Sequence, residues 1–580
     1  MTVLVVGGPD ALGALRRTRE TLSESSGPVA LVAADLVIPP AALAPITEDP
    51  FAGTALLVRP GGTRADVRVR HHVVTSAGSG FHSVAAPDHT SVGALVIGAA
   101  DLTAAAALVD GLVEAVASGA ITTSGDDLVE LVGVALVRGG VAVRAVDVVD
   151  VPWFRHPADR IAAETAVQGV SDTRIRQLQA NRLDDGFYST FVVRRLSKPL
   201  TRLALRLGWS PNAITLLSFA VGLLAAASFA VGDRWALVLG AVLLQASLVI
   251  DCVDGEVARA TRRFTALGAW LDASTDRVKE FLAYAGLAIG ASRLGVDIWW
   301  LAIVLVVLQT TRHMTDYDFS RVQRMREAHV PLRDLLLVDD GAAGATGGWS
   351  VSGAMEMSTR MNRRDAVRWA KRAIHLPIGE RWLIISVVAA LLGAQWALGI
   401  LLACGLLALA YVLVGRTLRT LTWQGRTPDA GIHMLRSQGD SGPLLWALLL
   451  PVSAASRERW WGARWAWAVP ALLRFVELGA VAVIALAWQP TVVVIAFWWM
   501  TVVAFHHYDT LYRAMQGAQP PRWLVWTGLG WEGRTVLLLV LALAGAAALA
   551  AGLGWGTAVL AALFVGVASV QWLLVQRTPR

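Results

Sequence analysis

The stretch DCVDGEVARATRRFTALGAWLDASTD, from Asp251 to Asp276, decides how the chain is read. Long apolar runs flank it on both sides, so its four aspartates stand at the ends of two hydrophobic segments. Acids at a membrane edge are costly to keep and mark function. Asp251 and Asp254 are three residues apart, and Asp272 and Asp276 are four apart. On helices each pair projects from one face. Two such faces meeting bring four like charges together, which requires protons or bound cations. Hard, oxygen-seeking Mg²⁺ or Mn²⁺ suits carboxylates acting with phosphate oxygens. Two such ions could clamp a pyrophosphate during in-line displacement. Between the pairs, Gly255 admits a ligand to the backbone, Ala258 keeps the helix face low and Arg259 offers a phosphate partner. Gly268 permits close passage before the second helix.

The surrounding chain reads as membrane protein. Its 580 residues are 55% hydrophobic, and the mean hydropathy is +0.53. Ten apolar stretches approach the length needed to cross a bilayer: 213–232, 235–252, 270–291, 296–312, 381–397, 399–415, 468–487, 490–506, 534–552 and 555–575. The net charge of +7 is carried almost wholly by arginine, clustered beside these stretches. That placement suits anionic lipid and argues against nucleic acid. With both termini and the active site in the cytoplasm, the Arg-rich connections 253–269, 313–380, 416–467 and 507–533 all face inward, as the positive-inside rule asks. Met1–Gly8 reads as a short buried strand rather than a signal peptide, so the N-terminus is expected to stay in the cytoplasm. Cys252 and Cys404 lie in apolar stretches and make no disulfide framework.

The expected architecture is multi-domain: an N-terminal soluble α/β domain followed by an all-α polytopic membrane domain. In residues 1–165 short apolar runs (Val3–Val6, Val29–Val32, Ala55–Val58, Ala94–Ile97) alternate with helical stretches at 11–22 and 102–117, which predicts a mostly parallel sheet. Residues 171–208 place Arg194, Arg195, Lys198, Arg202 and Arg206 among Leu and Val, the pattern of an amphipathic interfacial helix; a solvated linker helix is the plainer alternative. A membrane core over 209–420, a linker over 421–464 and a C-terminal four-span module over 465–580 complete the chain.

The aspartate stretch matches, position by position, D-x2-D-G-x2-A-R-x8-G-x3-D-x3-D, through Asp251, Asp254, Gly255, Ala258, Arg259, Gly268, Asp272 and Asp276. The chain thereby resembles the CDP-alcohol phosphotransferase family over about residues 181–420, including a six-span core. The resemblance implies transfer of a phosphoalcohol from a CDP-activated donor to an alcohol, with CMP leaving. It implies that all four aspartates hold the metals, two ions of Mg²⁺ or Mn²⁺, and that Asp276 is also the general base. Donor contacts would come from Gly255, Ala258, Arg259, Thr265 and Gly268. Pro211–Thr215 is similar to the family's Pro-Asn-x-x-Thr segment, which adds Asn212 and Thr215, although helix capping would also explain those two. The family tends to form homodimers.

Arg381 and Arg416 stand at the cytoplasmic edges of the fifth and sixth spans. They read either as lipid anchors or, as in relatives using inositol phosphate, as ligands of a phosphate on the acceptor; Arg312 or His313 would add a third contact. The N-terminal domain resembles sugar-nucleotide-type nucleotidyltransferases through Val29–Asp35, Val143–Asp150 and 152–159. It lacks the family's lysine, and Arg155-His156 stands near the place of a second metal-binding acid. A degenerate domain is expected, which favours CDP-diacylglycerol over CDP-inositol as donor. His506-His507-Tyr508-Asp509 reads as an interfacial cap rather than a metal cluster, and Trp460, Trp461, Trp498 and Trp499 as an interface belt. Rival readings are a transporter with an acidic vestibule, to which Arg259 is foreign, and a scaffolding pseudoenzyme, against which Asp276 speaks.

Overall fold

The computed structural model describes residues 1–48, 53–61, 65–70, 72–84, 86–180, 186–328, 373–423, 426–448, 453–488, 491–515 and 518–577. Two compact units divide the chain. The first comprises residues 1–182 with 259–262 and 323–347, and the second comprises 183–258, 263–322 and 348–580.

Seven strands make the sheet of the first unit: β1 (Thr2–Val6), β2 (Val29–Ala33), β3 (Ala55–Pro60), β4 (Val67–Arg70), β5 (Val73–Ala77), β6 (His89–Ile97) and β7 (Arg144–Asp147), in the order β1-β2-β6-β3-β7-β5-β4. The anticipated strands and helices are present, but the sheet is mixed rather than mostly parallel. Only β1–β2 and β3–β7 run parallel, while β6 is antiparallel to both β2 and β3. The reason lies between β3 and β6. A parallel return needs a crossover of a dozen residues or more, usually a helix, whereas the chain here forms the antiparallel pair β4–β5. Helices α1 (Ala11–Glu24), α2 (Pro40–Thr47), α3 (Leu102–Ala117), α4 (Leu128–Arg138), α5 (Arg160–Gln168) and α6 (Asp172–Gln179) accompany the sheet. Ile175 of α6 is fully buried in this unit's core, so the stretch 171–208 is not one amphipathic helix; α7 (Arg194–Leu207) is a separate element. There Leu196, Leu200, Leu203 and Leu207, at helical spacing, are all exposed, leaving an apolar stripe of the kind that lies in a lipid interface.

The second unit is helical: α8 (Pro211–Val231), α9 (Arg234–Thr261), α10 (Ala266–Arg293), α11 (Trp299–Ala328), α12 (Ile378–Leu392), α13 (Ala394–Leu421), α14 (Asp429–Ser437), α15 (Pro443–Leu448), α16 (Ala454–Gly462), α17 (Val469–Ala487), α18 (Thr491–Met515), α19 (Arg522–Thr527), α20 (Gly530–Leu543) and α21 (Ala546–Arg577). Each of the ten apolar stretches overlaps these helices, and seven helical segments among the described residues are long and apolar enough to cross a membrane. Two boundaries shift. Gly393, at φ +101°, separates α12 from α13 within the stretch expected at 381–397. Gly545, at φ +106°, parts α20 from α21 within the stretch expected at 534–552. Much of the connection 313–380 lies outside the described residues.

Local signals start α8 and α10, two of the helices that build the acidic site. Ser210 accepts from the Ala213 N–H and Pro211 occupies the first turn of α8, while Thr265 accepts from the Gly268 N–H to cap α10. The two helices then approach closely. A Cβ on Gly286 would lie 2.3 Å from the Ala226 carbonyl oxygen, and one on Gly290 2.2 Å from that of Phe229. Small residues one turn apart thus let two backbones meet, as in membrane helix pairs generally.

Candidate active site

α9 brings Asp251 and Asp254 to the second unit's polar centre, and α10 brings Asp272 and Asp276. Ligand oxygens of Asp251, Asp254 and Asp272 all lie within 4.8 Å of one another. Two unit charges about 4 Å apart repel by roughly 4 kcal/mol at the effective dielectric of a protein edge, so the trio demands a cation or protons. An all-oxygen donor set of this span fits a divalent metal of the Mg²⁺ class. Asp276 joins the group through a cation that the motif does not contain. Lys279, fully buried, places Nζ 2.6 Å from Asp251 Oδ1 and 3.0 Å from Asp276 Oδ1, and donates to Ser218 Oγ at 2.9 Å. Gly222 makes room for its stem, because a Cβ there would sit 2.8 Å from Lys279 Cγ and Cδ. Four carboxylates against one ammonium still leave ample negative charge for a metal.

α8 supplies the hydroxyls. The Thr215 hydroxyl donates to Asp254 Oδ2, and that of Ser218 donates to Asp251 Oδ1 at 3.0 Å. Thr215 therefore orients an acid; the cap of α8 is Ser210. Asn212 Oδ1 would be 2.8 Å from a Cβ at Gly268, so the absence of a side chain at Gly268 lets α8 and α10 converge. Thr265, anticipated as a donor contact, spends its hydroxyl oxygen on the cap of α10. Gly255 and Ala258 follow Asp254 on α9. Arg259 belongs to the first unit, where its Nε–H donates to the Ala180 carbonyl at 2.6 Å. A second support sits behind the motif: Glu256 accepts from Arg194 at 2.5 Å, Ser197 at 2.8 Å and Thr201 at 2.5 Å, which ties α7 to α9.

The acceptor arginines behave differently from one another. Arg381, 2% exposed, grips Glu280 with Nε on Oε1 at 2.7 Å and Nη2 on Oε2 at 2.9 Å, and Nη1 donates to the Leu376 carbonyl. Its fork is thus taken up by an internal pair. Arg312 donates through Nη2 to the carbonyls of His375 and Leu376, and Arg416 pairs with Asp316. Among the described residues, buried Nε and Nη1 of Arg312 and Nη1 of Arg416 have no hydrogen-bond partner. Buried guanidinium nitrogens without acceptors are expensive, and an anion would relieve them. His313 is committed to the Tyr508 hydroxyl at 2.7 Å.

Lys279, Ser218 and Glu256 were not singled out by sequence. Lys279 did carry a signal, being one of three lysines in an arginine-dominated chain and three residues beyond Asp276.

A second cluster, Asp440, His506 and His507, also gathers ligand atoms within 4.8 Å, yet its charge is already balanced. Arg534 and Arg474 lie 2.5 and 3.5 Å from Asp440 Oδ2, and 2.7 and 3.2 Å from the carboxylate of Glu477. His506 meets Asp440 and His507 meets Glu477, as adjacent helical positions facing different sides require. Both histidines are buried, so the expected interfacial cap is instead an internal ion network, and a metal there would have to displace two guanidiniums. Trp499 is likewise buried in the core, whereas Trp460 is exposed.

In the first unit, Asp35 accepts from Arg155 Nε at 2.7 Å and from the His156 N–H at 3.0 Å. Arg155 also meets Glu130 at 2.7 Å and the Asp126 carbonyl at 2.9 Å.

Comparison with known proteins agrees with the aspartate geometry. Residues 209–328 match the CDP-alcohol phosphatidyltransferase profile, and residues 430–580 match a profile described as a family of unknown function. Over 130 residues the chain is 32% identical to a phosphatidylinositol phosphate synthase of Mycolicibacterium smegmatis, covering 22% of this chain and 57% of that protein. It is 34% identical over 143 residues to a bifunctional IPC transferase and DIPP synthase of Aquifex aeolicus (24% and 29% covered). It is 30% identical over 132 residues to an archaetidylinositol phosphate synthase of Pyrococcus horikoshii (22% and 65%). The chain thus spans less than two thirds of the length of each of these relatives. Residues 209–328, which contain the aspartate trio, thus match the CDP-alcohol phosphatidyltransferase family.

Proposed function

We propose that the chain transfers a phosphatidyl group from CDP-diacylglycerol to an inositol-phosphate-like acceptor, releasing CMP. The observation that carries this reading is the convergence of Asp251, Asp254 and Asp272 within a complete family motif. A divalent cation held there, or two, would offset charge on the donor pyrophosphate. Arg259 meets a donor phosphate, and Asn212, Thr215, Gly255, Ala258, Thr265 and Gly268 line the approach of the CDP moiety. Asp276, steadied by Lys279, takes the proton of the acceptor hydroxyl. That oxygen bonds to the donor's lipid-bearing phosphorus as the bond to the CMP oxygen breaks.

The acceptor's phosphate is placed against Arg312 and Arg416, whose unpartnered nitrogens support the role, while Arg381 holds Glu280 and positions that wall. The names of the relatives favour a phosphorylated inositol. CDP-diacylglycerol is preferred over CDP-inositol because a guanidinium occupies Asp35 in the first domain, where a nucleotidyltransferase-like reading would place a metal; that domain then binds nucleotide weakly or serves as a scaffold. We further propose ten spans in the cell membrane with both termini and the site on the cytoplasmic side.

The test is CMP release from CDP-diacylglycerol in membranes, with Mg²⁺ or Mn²⁺, in the presence and absence of inositol phosphate. Acceptor-dependent release that vanishes in Asp276→Asn is expected. Release persisting in that variant would refute the base assignment, and release indifferent to every phosphorylated polyol would refute the acceptor.

A further inference from the structure

The C-terminal helices leave their own ion network and reach the back of the helix that carries Asp272 and Asp276. Asp509 of α18, 2% exposed, is the joint. Its Oδ1 accepts from Trp270 Nε1 of α10 at 2.9 Å and from Trp572 Nε1 of α21 at 2.8 Å, and its Oδ2 accepts from Arg513 Nε at 2.6 Å. The indoles of Trp270 and Trp572 stack with centroids 5.9 Å apart, and Phe505 meets Trp270 edge-on at 6.3 Å. One turn along α18, the Tyr512 hydroxyl donates to the carbonyl of Ala273, the residue after Asp272, at 3.2 Å. Tyr508 then receives the Arg277 guanidinium over its ring at 6.0 Å and meets His313 at 2.7 Å. Arg277 directly follows Asp276.

A helix packed only by apolar contact can slide or rotate by small amounts at little cost, whereas directional hydrogen bonds to named atoms set its rotation. Here such bonds act on Trp270 and Ala273, which bracket Asp272, and on the neighbour of Asp276. Carboxylates that share a cation need placement within about half an ångström. A buried acid accepting three donors is also costly unless every bond is made, so the joint favours one arrangement of the three helices.

We propose that the C-terminal module acts as a positioning partner of the active site: Asp509 and Tyr512 set the rotation of α10 and so place Asp272 and Asp276 for metal binding. This rests on the metal-site reading above and assigns a role to the 430–580 segment.

The test uses the detergent-purified full chain and Mn²⁺ binding followed by electron paramagnetic resonance, beside CMP release and thermal unfolding. Tyr512→Phe and Asp509→Asn are each expected to weaken Mn²⁺ binding by about two- to tenfold, the worth of one buried hydrogen bond, and to lower kcat more than the donor KM. Asp509→Leu should weaken it further than Asp509→Asn, which keeps one acceptor oxygen. Arg534→Lys, which perturbs the Asp440–Glu477 ion network without touching Asp509 or Tyr512, should lower thermal stability while leaving Mn²⁺ affinity at the parent value. Parent-like Mn²⁺ affinity in Tyr512→Phe and Asp509→Leu, with stability falling as in Arg534→Lys, would reduce the contact to packing and overturn the proposal alone. Equal Mn²⁺ binding by the parent and Asp272→Asn would overturn the metal-site reading and this proposal together.

Discussion

Replacing Lys279 by methionine keeps the apolar stem beside Gly222 and removes only the ammonium. That group lies 2.6 Å from Asp251 and 3.0 Å from Asp276 with no exposure to solvent. Removing one partner of a buried pair costs about 3–5 kcal/mol, because the remaining charge is left uncompensated. Two carboxylates lose their partner here, so at least this range is expected for the metal-free protein. The loss should be partly reversible. A ligand that binds only the folded state adds RT ln(1 + [L]/Kd), about 2.7 kcal/mol at a hundredfold excess over Kd. The variant's extra negative charge should tighten Mg²⁺ binding about tenfold, worth roughly 1.4 kcal/mol. Thermal unfolding of the purified chain in EDTA and across a Mg²⁺ titration measures both effects. Lys279→Met is expected to melt well below the parent in EDTA, to recover part of the difference in Mg²⁺, and to release CMP slowly because Asp276 has lost its anchor. Equal melting in EDTA, with the same Mg²⁺ dependence as the parent, would show that the ammonium does not balance this cluster.

Two further outcomes follow from other groups. Arg381→Ala should destabilise the chain by about 3–5 kcal/mol by stranding buried Glu280, with the Arg381→Ala/Glu280→Gln pair costing less than the sum of its singles; a pure rise in acceptor KM with intact stability would instead make Arg381 a direct phosphate ligand. In the first unit, burial raises the Asp66 carboxyl to about 6, against an ordinary 3.8. Its contribution to stability is therefore complete below about pH 4 and lost as pH rises through 6. Asp66→Asn, which keeps an acceptor for the Ser91 N–H, should stabilise this unit by about 2–3 kcal/mol at pH 7.5 and change little at pH 4; a pH-independent difference in unfolding would exclude the titration of Asp66 as its source.

Much of this protein was legible in sequence because its signals are local. Apolar length marks helices whatever they pack against, whereas the caps at Ser210 and Thr265 were identified only in the fold. The aspartate spacing places each pair on one helical face without knowledge of the other pair. The first domain's sheet shows where locality ends. Four of its strands were visible as apolar runs, but strand direction depends on which edges meet, so the antiparallel β6 and the β4–β5 pair emerged only in the fold. The same holds for the charges. Asp35 and Arg155 are 120 residues apart and Glu280 and Arg381 are 101 apart, and no spacing rule joins them. Sequence alone determined that four aspartates, two glycines, an alanine and an arginine recur at a phosphotransferase's intervals on membrane helices. Tertiary structure decided what each group touches: Lys279 between two acids, Arg381 turned inward onto Glu280, and Asp509 binding the C-terminal helices to α10. The physical reason is that helical periodicity is encoded within a few neighbouring residues, whereas the partner of a buried charge is selected by whichever distant segment packs against it.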